Sequence, residues 1–143
     1  IGYLHENGYR HGDVRRDHIF VDRNTGRYNW IYFDYDFYLP EKPFALDLFE
    51  LGNILIYLVG KGDYNPREIL IHPDVEGGVL DTLEQSDFSI ISQNRLVNLR
   101  KIFPYIPVRL NNILLHFSFG AEVFYENVYE LHDDIVAAIK EFQ

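Results

Sequence analysis

The chain has no cysteine, no methionine and a single tryptophan in 143 residues. Without cysteine there are no disulfides, no thiolate metal sites and no cysteine nucleophile. That composition fits a reducing, cytoplasmic compartment. Cations are scarce, with 13 Lys+Arg against 22 Asp+Glu and a net charge of −9. Phosphate backbones are bound by clustered cations, and the one basic cluster here is Arg10, Arg15 and Arg16. Nucleic acid is therefore not an expected partner. No apolar run approaches the roughly 18 residues of a membrane span. The longest lies around Ile54–Val59, so no transmembrane segment is expected. No signal peptide is visible. Internal repeats, low-complexity runs and Ser/Gly linkers are also missing.

What is present suits a globular domain. The hydrophobic fraction of 47% and charged fraction of 24% are ordinary. Eleven Tyr and eleven Phe predict a core rich in rings. Ile1, Leu4 and His5 read as the last turns of a helix closed by Gly8. The chain thus opens within a pattern, and this predicts a fragment whose N-terminal part lies upstream.

Residues 19–33 read as a hairpin. Ile19-Phe20-Val21 and Trp30-Ile31-Tyr32-Phe33 are strand-like, and Asp22-Arg23-Asn24-Thr25-Gly26 supplies turn chemistry. Residues 44–59 form a helix stopped by Gly60 and Gly62. Its polar residues are Asp47, Glu50 and Asn53, spaced by three, which makes one narrow stripe on an apolar cylinder. A helix apolar nearly all round is buried at the centre of a domain. Further on, Ser92 is a possible cap for a helix with Leu96, Leu99 and Phe103 on one face. Pro107 can open another carrying Leu110, Ile113, Leu114 and Phe117. Asn127 caps the last, with Glu130 three residues on. There Val128, Leu131, Ile135, Ile139 and Phe142 line one face. Residues 60–90, broken by Pro66, Pro73 and Gly77-Gly78, stay open. The fold class is mainly α with a small β-hairpin.

The chemistry concentrates in His11-Gly12-Asp13-Val14-Arg15-Arg16-Asp17-His18, followed by a strand. Asp34-Tyr35-Asp36 comes at the end of the next strand. A loop acid before a hairpin and a second acid after it can face each other across the hairpin base. That suits phosphoryl transfer, in which one carboxylate orients or deprotonates a hydroxyl and another holds Mg²⁺ on the phosphates.

This arrangement resembles the C-terminal lobe of the protein-kinase-like fold. His11-Gly12-Asp13 matches the H-x-D of the catalytic loop H-R-D-L-x-x-x-N, with His18 in the Asn position. Asp34-Tyr35-Asp36 matches D-F-G, and Asp47-Leu48-Phe49-Glu50-Leu51-Gly52 matches the central helix motif D-x-W-S-x-G. The resemblance divides the kinase-like C-terminal lobe, residues 1–143, into a catalytic loop (11–18), a hairpin (19–33), a metal-binding turn (34–36), a central helix (44–59) and a helical remainder (60–143).

Only 12 residues separate Asp34 from Asp47, and Ala-Pro-Glu is absent. That leaves no room for a protein kinase's activation segment. His-Gly-Asp, with an acid two residues after the metal Asp, is similar to the aminoglycoside and choline kinases. Asp followed five later by His is similar to the lipopolysaccharide-core sugar kinases. The resemblance therefore implies an atypical ATP-dependent kinase transferring the γ-phosphoryl group to a hydroxyl of a small-molecule, sugar or protein acceptor. The alternative is a pseudokinase serving as a binding or scaffold module.

The resemblance also assigns roles. Asp13 would take the acceptor's proton, and Arg15 would neutralise the transferring group. Asp34 would chelate Mg²⁺, with Asp36 a second ligand or a turn acid. His18 would contact a metal, a softer Mn²⁺ included, or the phosphates, or would only hydrogen-bond Asp13. His11 and Asp47 would be structural, Asp47 accepting backbone N–H bonds from the loop. His5, His72, His116 and His132 show no partner pattern and read as surface or packing residues. The implied partners are ATP and a hydroxyl-bearing acceptor. An N-lobe carrying a Gly-rich loop and a Lys is also implied. No G-x-G-x-x-G occurs in the sequence, so the N-lobe is expected to be absent from this chain, and these residues alone are expected to be inactive.

Overall fold

The computed structural model describes residues 1–141 apart from 35, 37, 38 and 93. Tyr35 of the proposed 34–36 turn and Phe142 of the last helix lie outside the described residues. The chain is mainly helical with one small antiparallel sheet. Its elements are α1 (Gly2–Glu6), β1 (Ile19–Val21), β2 (Tyr28–Trp30), α2 (Ala45–Gly60), α3 (Pro66–Ile71), α4 (Val108–Leu115) and α5 (Val128–Lys140). Short 3₁₀ turns join them, one at Arg16–His18. No helix among the described residues is long and apolar enough to cross a membrane.

α2 is the axis of the domain. Leu48, Phe49 and Ile56 are buried on it, and of its residues Leu58 alone is exposed. Phe49 stacks on Phe124 with centroids 4.9 Å apart and meets the Phe117 ring edge-on at 5.9 Å. Phe117 presses so close to Gly52 that a β-carbon there would fall inside the ring. The ring-rich core expected from composition is thus centred on this helix. α4 and α5 pack together behind it, burying Ile113, Leu114, Leu131 and Ala138.

The hairpin is shorter than its sequence suggests. β1 pairs with β2 in the register Ile19↔Trp30, Phe20↔Asn29 and Val21↔Tyr28. Its turn is built as read, with Asp22 accepting from the Asn24 N–H and the Thr25 hydroxyl. The second strand, expected over 30–33, lies instead at 28–30. Tyr32 takes a left-handed backbone, φ 57°, which ends the extended run and turns the chain.

The helix expected after Ser92 does not form. Leu96 N–H donates to the Tyr64 carbonyl, and the Val97 and Asn98 N–H groups both donate to Asp87. With these donors spent on distant partners, no i→i−4 ladder can start. A 3₁₀ turn at Leu99–Lys101 remains, and Leu96, Leu99 and Phe103 are buried all the same.

α4 begins one residue after Pro107, as its motif suggests. Asn127 caps α5 by accepting from the Tyr129 and Glu130 N–H groups. The Glu130 carboxylate reaches back to the Glu126 N–H rather than to that of Asn127. At the far end of α5 the expected face rotates, so that Ala138 is buried and Ile139 is half-exposed.

Candidate functional site

The loop from His11 to His18 carries no regular structure until its last turn, so its backbone donors need partners from elsewhere. α2 supplies them. Asp47 accepts the His11 N–H through Oδ2 and the Gly12 N–H through Oδ1, both at 2.7 Å. One turn further on, Glu50 accepts the Val14 N–H at 2.5 Å. The polar stripe on this apolar helix therefore faces the loop.

Asp47 is 1% exposed. Burial alone pushes its carboxyl up, but the His5 ring and the His11 and Gly12 N–H groups outweigh that and hold it below the usual carboxylate range. His5 contacts Oδ2 through Nε2 at 2.9 Å and stacks on Phe44 at 4.1 Å.

Gly12 is the hinge to the second acid. Its φ of 81° belongs to the left-handed region. A β-carbon there would fall inside the Asp34 carbonyl oxygen. The Asp34 N–H in turn donates to the His11 carbonyl at 2.8 Å. No larger residue fits at position 12 without a shift of the Asp34 backbone. His11 is fully buried, stacked on Phe33 at 4.4 Å and edge-on to Trp30 at 5.2 Å. Burial lowers its pKa, against the pull of Asp47. Its Nδ1 accepts the Asp13 N–H at 3.2 Å.

Asp13 lies between two partners. Arg15 Nε stands 3.3 Å from Oδ1, and His18 Nδ1 stands 3.3 Å from Oδ2. His18 Nε2 lies 2.8 Å from an Arg15 guanidinium nitrogen. A guanidinium only donates, so Nε2 accepts, and Nδ1 carries the proton toward the Asp13 carbonyl at 3.0 Å. Arg16 sits 3.3 Å over the Tyr57 ring and pairs with Asp63, which also pairs with Arg95. A cavity of about 200 Å³ lies beside the loop, bordered by Arg15, Arg16, Glu50, Asn53, Asp63 and Arg95. A larger one, about 520 Å³, lies between residues 41–45 with Leu48 and residues 122–126, and no candidate residue lines it.

The structure brings His11, Asp13, Arg15, His18, Asp34 and Asp47 onto one loop and its supports. Among the described residues no group of three or more His, Asp or Glu side chains is placed to hold a metal. His18 Nε2 accepts from Arg15, and its Nδ1 faces Asp13. Asp36 donates its backbone N–H to Asp34 Oδ1 at 2.9 Å. Asp34 itself is exposed and offers carboxylate oxygen. That donor fits Mg²⁺, which takes one or two carboxylates and fills its shell with phosphate oxygens and water.

Three supports escaped the sequence reading. His5 has no motif partner in sequence. Arg16 is tied to Tyr57 and Asp63 by tertiary packing alone. Glu50 did carry a signal, since it shares the stripe with Asp47.

No protein-family model, no curated protein and no solved structure matches the chain.

Proposed function

We propose that the chain is the C-terminal lobe of an atypical protein-kinase-like phosphotransferase that moves the γ-phosphoryl group of ATP to an acceptor hydroxyl. The observation that carries this reading is the grip of Asp47 on the His11 and Gly12 N–H groups. It presents Asp13 on a fixed loop, beside the backbone of Asp34. Asp13 takes the hydroxyl proton as the acceptor oxygen bonds to the γ-phosphorus. The bond from that phosphorus to the bridging oxygen breaks, and ADP leaves. Arg15, already against Asp13, offers positive charge to the transferring group. Asp34 would hold Mg²⁺, whose charge offsets that of the phosphates when it is bound. His18 orients Asp13 and Arg15.

The rival reading is a pseudokinase, a binding module without turnover. It is favoured by the pairing of the Asp13 carboxylate with both Arg15 and His18, which occupies the proposed base. ADP release from ATP, measured with the full-length gene product, decides between them. In the phosphotransferase reading Asp13→Asn lowers turnover by about 10²–10⁴-fold and leaves the unfolding midpoint nearly unchanged. No ADP release above background in the unmutated protein, with a range of hydroxyl acceptors, gives the pseudokinase reading.

A further inference from the structure

Glu50 stands one turn after Asp47 on α2 and reaches the loop at Val14, the residue after Asp13. An acid is a costly choice at this place. Its carboxyl is pushed up to about 7, by burial first and by the charges of Asp13 and Asp47, against the pull of the Val14 N–H and of Arg15. A hydroxyl or amide oxygen would accept the same N–H with no charge to bury. What a carboxylate adds is a stronger, charge-assisted hydrogen bond. Asp47 holds the two residues before Asp13, and Glu50 holds the one after it. Asp13 is thus clamped on both sides by one helix face.

The charged groups around Glu50 are Asp13 and Arg15 from the loop, Asp47 from its own helix, and Arg16, Asp17, Asp63 and Arg95 around the shared cavity. The three arginines are each engaged by other carboxylates. Arg16 and Arg95 pair with Asp63, and Arg15 pairs with Asp13 and Asp17.

We propose that Glu50 is a positioning residue for Asp13. Its carboxylate, acting through the Val14 N–H, sets the loop that presents Asp13, and loss of its charge loosens that loop. The effect on rate rests on the phosphotransferase reading; the contact does not.

Two measurements on full-length protein test this. In the first, the Val14 amide resonance is followed by NMR from pH 5.5 to 8.5, in the unmutated protein and in Glu50→Gln. The amide is expected to shift with a midpoint of about 7 in the former and to stay still in the latter. A shift that persists unchanged in Glu50→Gln belongs to a histidine and overturns the proposal.

In the second, kcat is measured against pH. It is expected to rise about fivefold through neutrality in the unmutated protein, the gap between a charged and a neutral hydrogen bond. Glu50→Gln is expected to hold the lower plateau at every pH, with the KM for ATP unchanged. Glu50→Ala, which leaves the Val14 donor unpaired, is expected to fall at least about tenfold further. Identical pH profiles for the unmutated protein and Glu50→Gln overturn the proposal, and this arm does not depend on Glu50→Ala folding. A Val14 amide that titrates as expected in a protein that transfers no phosphate supports the clamp and sinks the phosphotransferase reading, so the two failures are told apart.

Discussion

Asp47 and Gly12 lie 35 positions apart in sequence, yet the Asp47 carboxylate accepts the Gly12 N–H at 2.7 Å in a buried contact. This bond and its twin to His11 convert an irregular loop into a fixed one. Removing the acceptor leaves two buried donors and the His5 ring without it. Asp47→Ala should therefore lower stability by roughly 2–4 kcal/mol. A denaturant midpoint shift worth less than about 0.5 kcal/mol, the usual surface value, would refute this role.

Gly12→Ala meets two obstacles at once, a left-handed backbone and the Asp34 carbonyl. Strained backbone costs about 1–3 kcal/mol by itself, and the clash adds to it. The expected result is a loss of at least about 3 kcal/mol, read by thermal unfolding. Gly8 has a similar φ but open space around it, so Gly8→Ala serves as the control and should cost only the backbone part.

The stability of the chain should respond to pH through Glu50. Its carboxyl ionises at about 7 when folded, against an ordinary value of 4.5. Between these values the folded state binds a proton that the unfolded state has lost. Stability from this group therefore falls as pH rises from about 4.5 to about 7, and is level on either side. Glu50→Gln abolishes that slope. The variant should gain on the unmutated protein across the window by on the order of 1 kcal/mol, after allowance for a half-solvated group. Unfolding free energies at pH 4.5, 6 and 8 check this, and a difference that does not change with pH would count against the burial of Glu50.

Asn127→Ala removes the oxygen that accepts from the Tyr129 and Glu130 N–H groups at the start of α5. Loss of an N-cap of this kind costs about 1 kcal/mol. Urea unfolding should show it as a shift in midpoint with the slope unchanged. Asn127→Ser, which keeps an acceptor for these N–H groups, should cost less than Asn127→Ala.

How far the fold could be read in advance depended on whether the signal was local. α2 was legible from its long apolar run, although it runs through Gly60 and ends on a left-handed Lys61, and α5 from its period and the Asn127 cap. The polar stripe of Asp47, Glu50 and Asn53 announced that something polar covers the helix. The missing helix after Ser92 shows the opposite case. Leu96, Leu99 and Phe103 keep helical spacing, but their backbone is held by Tyr64 and Asp87, which no local pattern reveals. The end of the hairpin was misread for a related reason. Tyr32 suits a strand by type, and only its left-handed backbone excludes it. In the site, the backbone contacts of Asp47 with the loop were legible through the resemblance that implied them. The engagement of His18 by Arg15 was not, because it turns on which lone pair of the ring is already taken.

The supports of the loop come from α2, and the turn of the hairpin contributes none of them. The Asp22–Gly26 turn is closed by its own side chains and lies in solvent. The two ends of the hairpin are thus separate building units. Its base is anchored through Ile31 N–H to the His18 carbonyl and Asp34 N–H to that of His11. Its tip is an open port in the chain. Extra residues spliced between Asn24 and Thr25 would lengthen an exposed loop at small entropic cost, with Asp13 still in its place.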